Sequence, residues 1–457
     1  MEHDHQSLRL HDRQTLWHAF SQMQDYDGLI IQSGRGNYLI DINGKSYLDG
    51  VSSMWCNVHG HCHPYMNAAI QKQLAQIAHV TLLGQSSPNV ITLASRLCSI
   101  APTGLKHAFF ASDGSAAVEA AMKMAFQYWR QSQNASMDRN LFLAVSNAYH
   151  GDTIGSLAVG GVSRFQSVFQ PLLFPVIQGP SPCCNRSDRC DDDLLQQTLA
   201  IYDRLLQENA GKVAAIIVEP LVQFAAGIVF HPQGFLKGLR ELADRHDTLL
   251  IADEIAVGMG KTGRMFACEH ESVTPDLLCL GKGLTGGYLP LSAVLVNDRI
   301  WDAFLGEFSQ SKTFYHGHTF GGNPLAAAAA HATLDLFESE RTLDAVKDNS
   351  IYLSGLLNEL NDLPNVANPR VFGMIAAFDL VVDNRTMQQF PADQRRGAQL
   401  CRELLQHGIW MRPLRDTIVI VPPLSVTKEQ LRHIVESIRT CLTYPSAPSA
   451  TEQVDYF

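Results

Sequence analysis

Short, unbroken apolar runs recur through the middle of the chain, and each ends on polar or charged residues. They are HAFFAS before Asp113, LFLAVS before Asn147, VAAIIVE ending at Glu219, TLLIADE ending at Glu254, and LLCLGKG around Lys282. Between them lie amphipathic segments such as SAAVEAAMKMAFQYWRQ and FLKGLRELADRH, whose apolar positions repeat at helical spacing. Continuous apolar strands alternating with helices predict an α/β fold with a mostly parallel sheet covered on both faces. Ahead of this region, residues 1–65 read as an irregular arm followed by short strands, with GNYLIDINGKSYLDG turning as a hairpin at Asn43-Gly44. Residues 336–457 read as a helix, the strand FGMIAAFDLVV, another helix, and a strand pair IWMRP and TIVIVPP. The pattern divides into a large domain over 66–335 and a smaller α/β domain over 336–457, to which part of 1–65 is added. The tail from Tyr444, with PSAPSATEQ, is expected to fray.

Composition narrows what such a fold can do. The 457 residues are 46% apolar and 18% charged, enough to bury a large core. Lys and Arg number 35 against 45 Asp and Glu, a net charge of -10. An acidic surface does not suit nucleic-acid binding, which must neutralise phosphates, but it allows a local basic pocket for a small anion. No apolar run reaches the roughly 18 residues of a membrane span. The start, MEHDHQSLRLHDRQ, lacks the apolar core of a secretory signal. Ten scattered cysteines fall short of a disulfide scaffold, so reduced thiols and a cytoplasmic location are expected. The expected partners are small-molecule substrates, with no nucleic acid and no membrane.

Candidate chemistry gathers where the apolar strands end, the edge at which open α/β sheets bind ligands. Five such ends carry Asp113-Gly114-Ser115, Tyr149-His150-Gly151-Asp152, Glu219-Pro220, Asp253-Glu254 and Gly281-Lys282. Each alone has an ordinary structural explanation, as a helix start, a cap or a solvated side chain. Their coincidence at successive ends does not. Lys282 sits among glycines in LGKGLTGGYLPLS, with room for a bulky planar group on its amine. A desolvated lysine is a nucleophile toward aldehydes and a proton-transfer base. Asp253, one strand end away, suits a buried pyridinium nitrogen, the pairing that keeps pyridoxal phosphate protonated. Gly114 and Ser115 open a helix, whose amides and dipole favour a phosphate. Tyr149 offers a ring to stack on the cofactor.

The segments DEIAVGMGKTG, GKGLTGGYLPLSAV and HGHTFGGNPLAAAAA resemble the signature blocks of the class III pyridoxal-phosphate aminotransferases. LWHAF, DGVSSMWCNVHGH, MKMAFQYW and YHGDTIG are similar to those of the members that aminate 8-amino-7-oxononanoate to 7,8-diaminononanoate in biotin biosynthesis. The blocks run in family order from Leu16 to Pro423. The resemblance implies fold type I, of the aspartate-aminotransferase kind, with pyridoxal 5'-phosphate as cofactor and S-adenosylmethionine or lysine as amino donor. It implies Lys282 as the Schiff-base lysine, Asp253 as the pyridinium partner, and Tyr149 at both cofactor and substrate. Gly114, Ser115 and Thr319 match phosphate contacts, with His318 and Thr319 reaching in from the other subunit of a homodimer. Trp17, Phe20, Met54, Trp55, Tyr149, Asp152, Gly317 and Arg412 match substrate positions, the Arg412 guanidinium suiting a carboxylate. Other readings are an ω-amino acid:pyruvate aminotransferase and a catalytically silent pyridoxal-phosphate-binding protein.

Departures from the family pattern bear on single roles. Ser112-Asp113 reverses the usual pair before Gly-Ser, and Met259 and Lys261 replace a Phe and an Arg. Phe20 and Met54 stand where forms using S-adenosylmethionine carry Tyr and Trp, which points to lysine as a competent donor. Asp152 suits either attraction of a cationic donor or a helix cap. GMGKTG does not fit a P-loop, because Ile255 falls where its first glycine belongs. His59, His61, Cys62 and His63 alternate faces in an extended segment, and no metal is expected. Cys183, Cys184 and Cys190 read as a surface loop, and the Met and aromatic residues of AAMKMAFQYW as helix core.

Overall fold

In the computed structural model, which describes residues 5–133, 135–182 and 192–444, the apolar runs become strands of one seven-stranded sheet. The strands are β1 (Leu105–Ala111), β2 (Leu141–Val145), β3 (Ile177–Gly179), β4 (Val213–Val218), β5 (Leu249–Asp253), β6 (Leu277–Leu280) and β7 (Ser292–Asn297). Their order is β1-β7-β6-β5-β4-β2-β3. Only β7 runs antiparallel to its neighbours; the other pairings are parallel. Every residue of β4, β5 and β6 is buried, which is why these runs show no polar alternation. Helix α1 (Gly114–Gln131) packs on the sheet through Ala117, Ala120, Ala121 and Ala125, small enough to bring helix and strands close. Met122, Met124, Tyr128 and Trp129 are buried in the same core, as their spacing predicts, and Trp129 Nε1 donates to the Ala214 carbonyl at 2.8 Å.

This sheet belongs to one compact unit, Tyr65–Leu343; the described parts of 1–64 and 344–457 form another. In the latter, Ile31–Arg35, Tyr38–Asp41 and Ser46–Asp49 form an antiparallel meander, and Ile409–Trp410 joins its edge parallel to Ser46–Asp49. The predicted hairpin is present. Gly44 turns it with φ +79°, and the Asp41 carboxylate accepts from the amides of Asn43 and Lys45, each at 2.9 Å.

Two expectations need correcting. IWMRP and TIVIVPP do not pair as two strands of one sheet. Thr417–Ile420 instead joins Val366–Phe372 and Ile375–Leu380 in a separate antiparallel sheet. Pro413, which has no N–H, and Arg415, at φ +57°, turn the chain between them. The arm is also not wholly irregular: His5–Thr15 is a helix. It buries no residue, so no apolar stripe marked it. Cys183, Cys184, Cys190 and the tail beyond Tyr444 lie outside the described residues. No helix among the described residues is long and apolar enough to cross a membrane.

Candidate active site

The parallel strands deliver their C-terminal ends to one edge of the sheet. After β1, Asp113 caps α1, its Oδ1 accepting from the Ala116 amide at 3.0 Å. The reversed Ser112-Asp113 pair thus supplies the N-cap. Gly114 and Ser115 follow as the first helical residues, whose amides have no intrahelical acceptor. A Cβ on Gly114 would lie 2.9 Å from Ile255 Cγ2, so this backbone approaches the β5 loop as only glycine allows. A Cβ on Gly281, after β6, would meet the same Ile255 atom at 3.3 Å and Gly114 Cα at 3.8 Å. The ends of β1, β5 and β6 therefore converge around Ile255.

Asp253 ends β5 and is 4% exposed. Its Oδ1 accepts from the Ile255 amide at 3.1 Å, and its Oδ2 from His150 Nδ1 at 2.7 Å. An ionised carboxylate only accepts, so Nδ1 carries the proton, and the buried Nε2 has no partner among the described residues. Beside it, Glu219 follows β4 and splits its carboxylate between the amides of Tyr149 and Phe224, both at 3.0 Å. Burial pushes the Glu219 carboxyl up to about 7, against His150 and these two amides. Tyr149 donates its hydroxyl to Asp152 Oδ2 at 2.7 Å, and its ring stands edge-on to Phe165. Burial, then the Asp152 carboxylate, raise the phenol far above its ordinary value.

Of the two readings of Asp152, cationic-donor attraction or a helix cap, the cap is not found. Its carboxylate takes the Tyr149 hydroxyl, and its amide donates to Ser115 Oγ at 3.2 Å. The short helix α2 (Ile154–Ala158) is served by Glu119 of α1 instead. Glu119 Oε1 accepts from Thr153 Oγ1 at 2.6 Å and from the amides of Gly155 and Ser156 at 2.9 and 3.2 Å. Lys282 follows β6, whose Cys279 pairs in register with Asp253. It is half-buried and left-handed, with φ +44°, an uncommon state for a side chain of this size. Gly317, His318 and Thr319 share no hydrogen bond with the Ser115–Asp152–Tyr149 network among the described residues. Gly317 and Thr319 are exposed, and the His318 ring stands edge-on to His316.

The remaining candidates lie in the other unit. Trp17 and Phe20 are exposed, and Phe20 has φ +53°. Arg412 follows the Ile409–Trp410 strand and acts electrostatically on Tyr26, whose ring stacks on His18 at 3.6 Å. Burial, Asp12 and Asp27 raise the Tyr26 pKa, and the Arg412 charge opposes them. Met54 and Trp55 sit on Ser52–Trp55, where four successive residues have φ of 46°, 48°, 65° and 70°. Each left-handed L-residue costs ~1–2 kcal/mol, so this turn must be held by its surroundings. Of the histidines weighed for a metal, His61 hydrogen-bonds Asp49 and Asn57.

Residues 20–442 match the sequence profile of the family described as Aminotransferase class-III. The chain belongs to the class III aminotransferases. It is 46% identical over 96% of its length, and 97% of the relative's, to the adenosylmethionine-8-amino-7-oxononanoate aminotransferase of Geobacter sulfurreducens. The crystal structure of the enzyme of that name from Methanocaldococcus jannaschii superposes with TM-score 0.91 at 38% identity, covering 96% of this chain and 99% of the other. A PLP-bound amine transaminase from an uncultivated Pseudomonas species superposes with TM-score 0.89 at 34% identity, covering 94% and 98%.

Class III aminotransferases depend on pyridoxal phosphate, and the edge of the large sheet fits that group. The glycine-lined start of α1 offers amides and a helix dipole to a phosphate. Asp253 is a buried carboxylate fixed by two donors, and Lys282 directly follows Gly281, whose backbone lies close to Gly114. The sequence assigned no role to His150 or Glu219, and Glu119 and Tyr26 were not among the candidates. His150 and Glu219 stand at strand ends already marked, and that position was their signal. Glu119 reads in sequence only as a polar position on a helix, and Tyr26 as part of the arm.

Proposed function

We propose that this aminotransferase converts 8-amino-7-oxononanoate into 7,8-diaminononanoate in biotin biosynthesis, as a cytoplasmic homodimer. The observation that carries the reading is the near-full-length identity to the Geobacter sulfurreducens enzyme named for that substrate. Bound pyridoxal phosphate supplies an electron sink for the bond broken at the substrate carbon. The chain's own residues do the rest. Lys282 would hold the cofactor through its amine, and its Nζ would be the base that takes up the proton leaving the substrate carbon. Asp253, oriented by His150, would keep the ring nitrogen protonated, because a fixed buried carboxylate favours the cation beside it. The amides of Gly114 and Ser115 would bind the phosphate, with Thr319 and His318 supplied across the dimer.

Tyr149 would lie against the cofactor, its hydroxyl oriented by Asp152, with Gly317 at the substrate. Trp17, Phe20, Met54 and Trp55 would exclude water around the aliphatic chain, and Arg412 would grip the distant carboxylate with two parallel hydrogen bonds. S-Adenosylmethionine is the donor that the relatives' names support. Lysine is a second reading, favoured by Phe20 and Met54, which offer neither a hydroxyl nor a flat indole to a sulfonium cation. Steady-state turnover tests the acceptor. With at least one of the two donors, 8-amino-7-oxononanoate is aminated in preference to pyruvate. Efficient transfer from β-alanine to pyruvate with none to 8-amino-7-oxononanoate overturns the proposal.

A further inference from the structure

The left-handed turn Ser52–Trp55 contains no glycine, yet all four residues have φ between 46° and 70°. Asp49, fully buried at the end of the preceding strand, reaches over this turn. Its Oδ1 accepts from the amides of Val51 at 3.3 Å and Ser53 at 3.0 Å. Its Oδ2 accepts from Ser53 Oγ at 2.8 Å and His61 Nε2 at 3.0 Å. Asn57 Nδ2 donates to His61 Nδ1 at 3.4 Å, which leaves the ring proton on Nε2 for Asp49. The turn is closed by Trp55 N on the Val51 carbonyl at 2.8 Å, and by Cys56 N and Asn57 N on the Ser52 carbonyl at 3.0 and 2.9 Å. One carboxylate thus takes the amide and hydroxyl of Ser53 within the turn and the amide of Val51 before it, and is itself aimed by a histidine.

We propose that Asp49 is a positioning residue that locks this turn left-handed and so sets where Met54 and Trp55 meet the substrate chain. The proposal rests on the reading of those two side chains as pocket lining. Without the carboxylate, L-residues relax toward the right-handed region, and successive side chains swing away from their places. The test uses the holoenzymes of Asp49→Ala and Asp49→Asn. Asp49→Ala raises KM for 8-amino-7-oxononanoate about tenfold or more while kcat stays within about threefold. Asp49→Asn, whose Oδ1 still accepts both amides, keeps KM within about threefold of wild type. A lower kcat at unchanged KM marks a residue that matters only for stability, and overturns the proposal.

The crystal structure of Asp49→Ala decides the lock independently of the substrate. Ser53 and Met54 leave positive φ if Asp49 holds them; a retained left-handed turn refutes it. A wild-type enzyme inactive on 8-amino-7-oxononanoate counts against the pocket reading alone, since the structural result still stands. Should Asp49→Ala not fold, Ser53→Ala removes the hydroxyl bond only. It raises KM about threefold, and an unchanged KM there also overturns the proposal.

Discussion

Substituting Gly114 by Ala tests the convergence of strand ends with one methyl group. The new Cβ would lie 2.9 Å from Ile255 Cγ2 and 3.1 Å from Ile255 Cδ1. Carbons at ease sit ~3.5–4.0 Å apart, so the overlap is about 0.6 Å or more. Ile255 has little freedom to retreat: it is 8% exposed, its amide is held by Asp253, and the Gly281 backbone faces the same methyl. The strain therefore falls on the first turn of α1. Overpacking of this kind costs ~1–3 kcal/mol. If that turn binds the cofactor phosphate, the same energy appears as a loss of cofactor affinity, ~5- to 150-fold in Kd. Titrating the apoenzyme with pyridoxal phosphate measures it. Adding Ile255→Ala makes room for the methyl and recovers most of the loss, so a double-mutant cycle gives a coupling of about 1 kcal/mol or more. Wild-type affinity in Gly114→Ala, or a loss that Ile255→Ala does not relieve, refutes the reasoning.

Lys282→Ala abolishes turnover and the absorbance of covalently held cofactor; substantial steady-state activity in that variant removes Lys282 from its role. Glu254, fully buried with its carboxylate on the amides of Ala267 and Cys268, has its pKa raised by burial to about 7, above its ordinary 4.5. The folded state therefore holds that proton more tightly than the unfolded chain, and this contribution is full below 4.5 and lost as pH rises toward 7. Melting curves across that window should show wild type losing stability relative to Glu254→Gln as pH rises, whereas parallel curves contradict the assignment. Mixing Lys282→Ala with Thr319→Glu subunits recovers up to about a quarter of wild-type activity if each site draws Thr319 from its partner, because half the dimers then carry one intact site. No recovery after verified subunit exchange rules out that sharing.

The sheet was legible because fully buried strands leave unbroken apolar runs, each ending in polar or charged residues at one edge. Tyr149, Asp253 and Lys282 could be marked from that alone. Pairings made across long sequence distances could not. Nothing local tells that His150 bonds Asp253, that Glu119 secures the start of a helix beginning at Ile154, or that Ile409–Trp410 runs beside Ser46–Asp49. The turn at Ser52–Trp55 was hidden for a different reason. Left-handed backbone is normally announced by glycine, and this turn has none; the sequence shows only an Asp three residues before it, whose carboxylate the fold brings onto Ser53. The helix His5–Thr15 escaped because it buries nothing.

The central claim is amino transfer to the 7-keto carbon, and isotope tracing reads it most directly. The holoenzyme is given 8-amino-7-oxononanoate with S-adenosylmethionine or lysine, each labelled with 15N in turn at the amino group it transfers, and the product is analysed by mass spectrometry and NMR. The account predicts 7,8-diaminononanoate carrying 15N at carbon 7 with at least one of the two donors. Unlabelled substrate returned with both donors, from enzyme that transfers 15N from β-alanine to pyruvate, contradicts it.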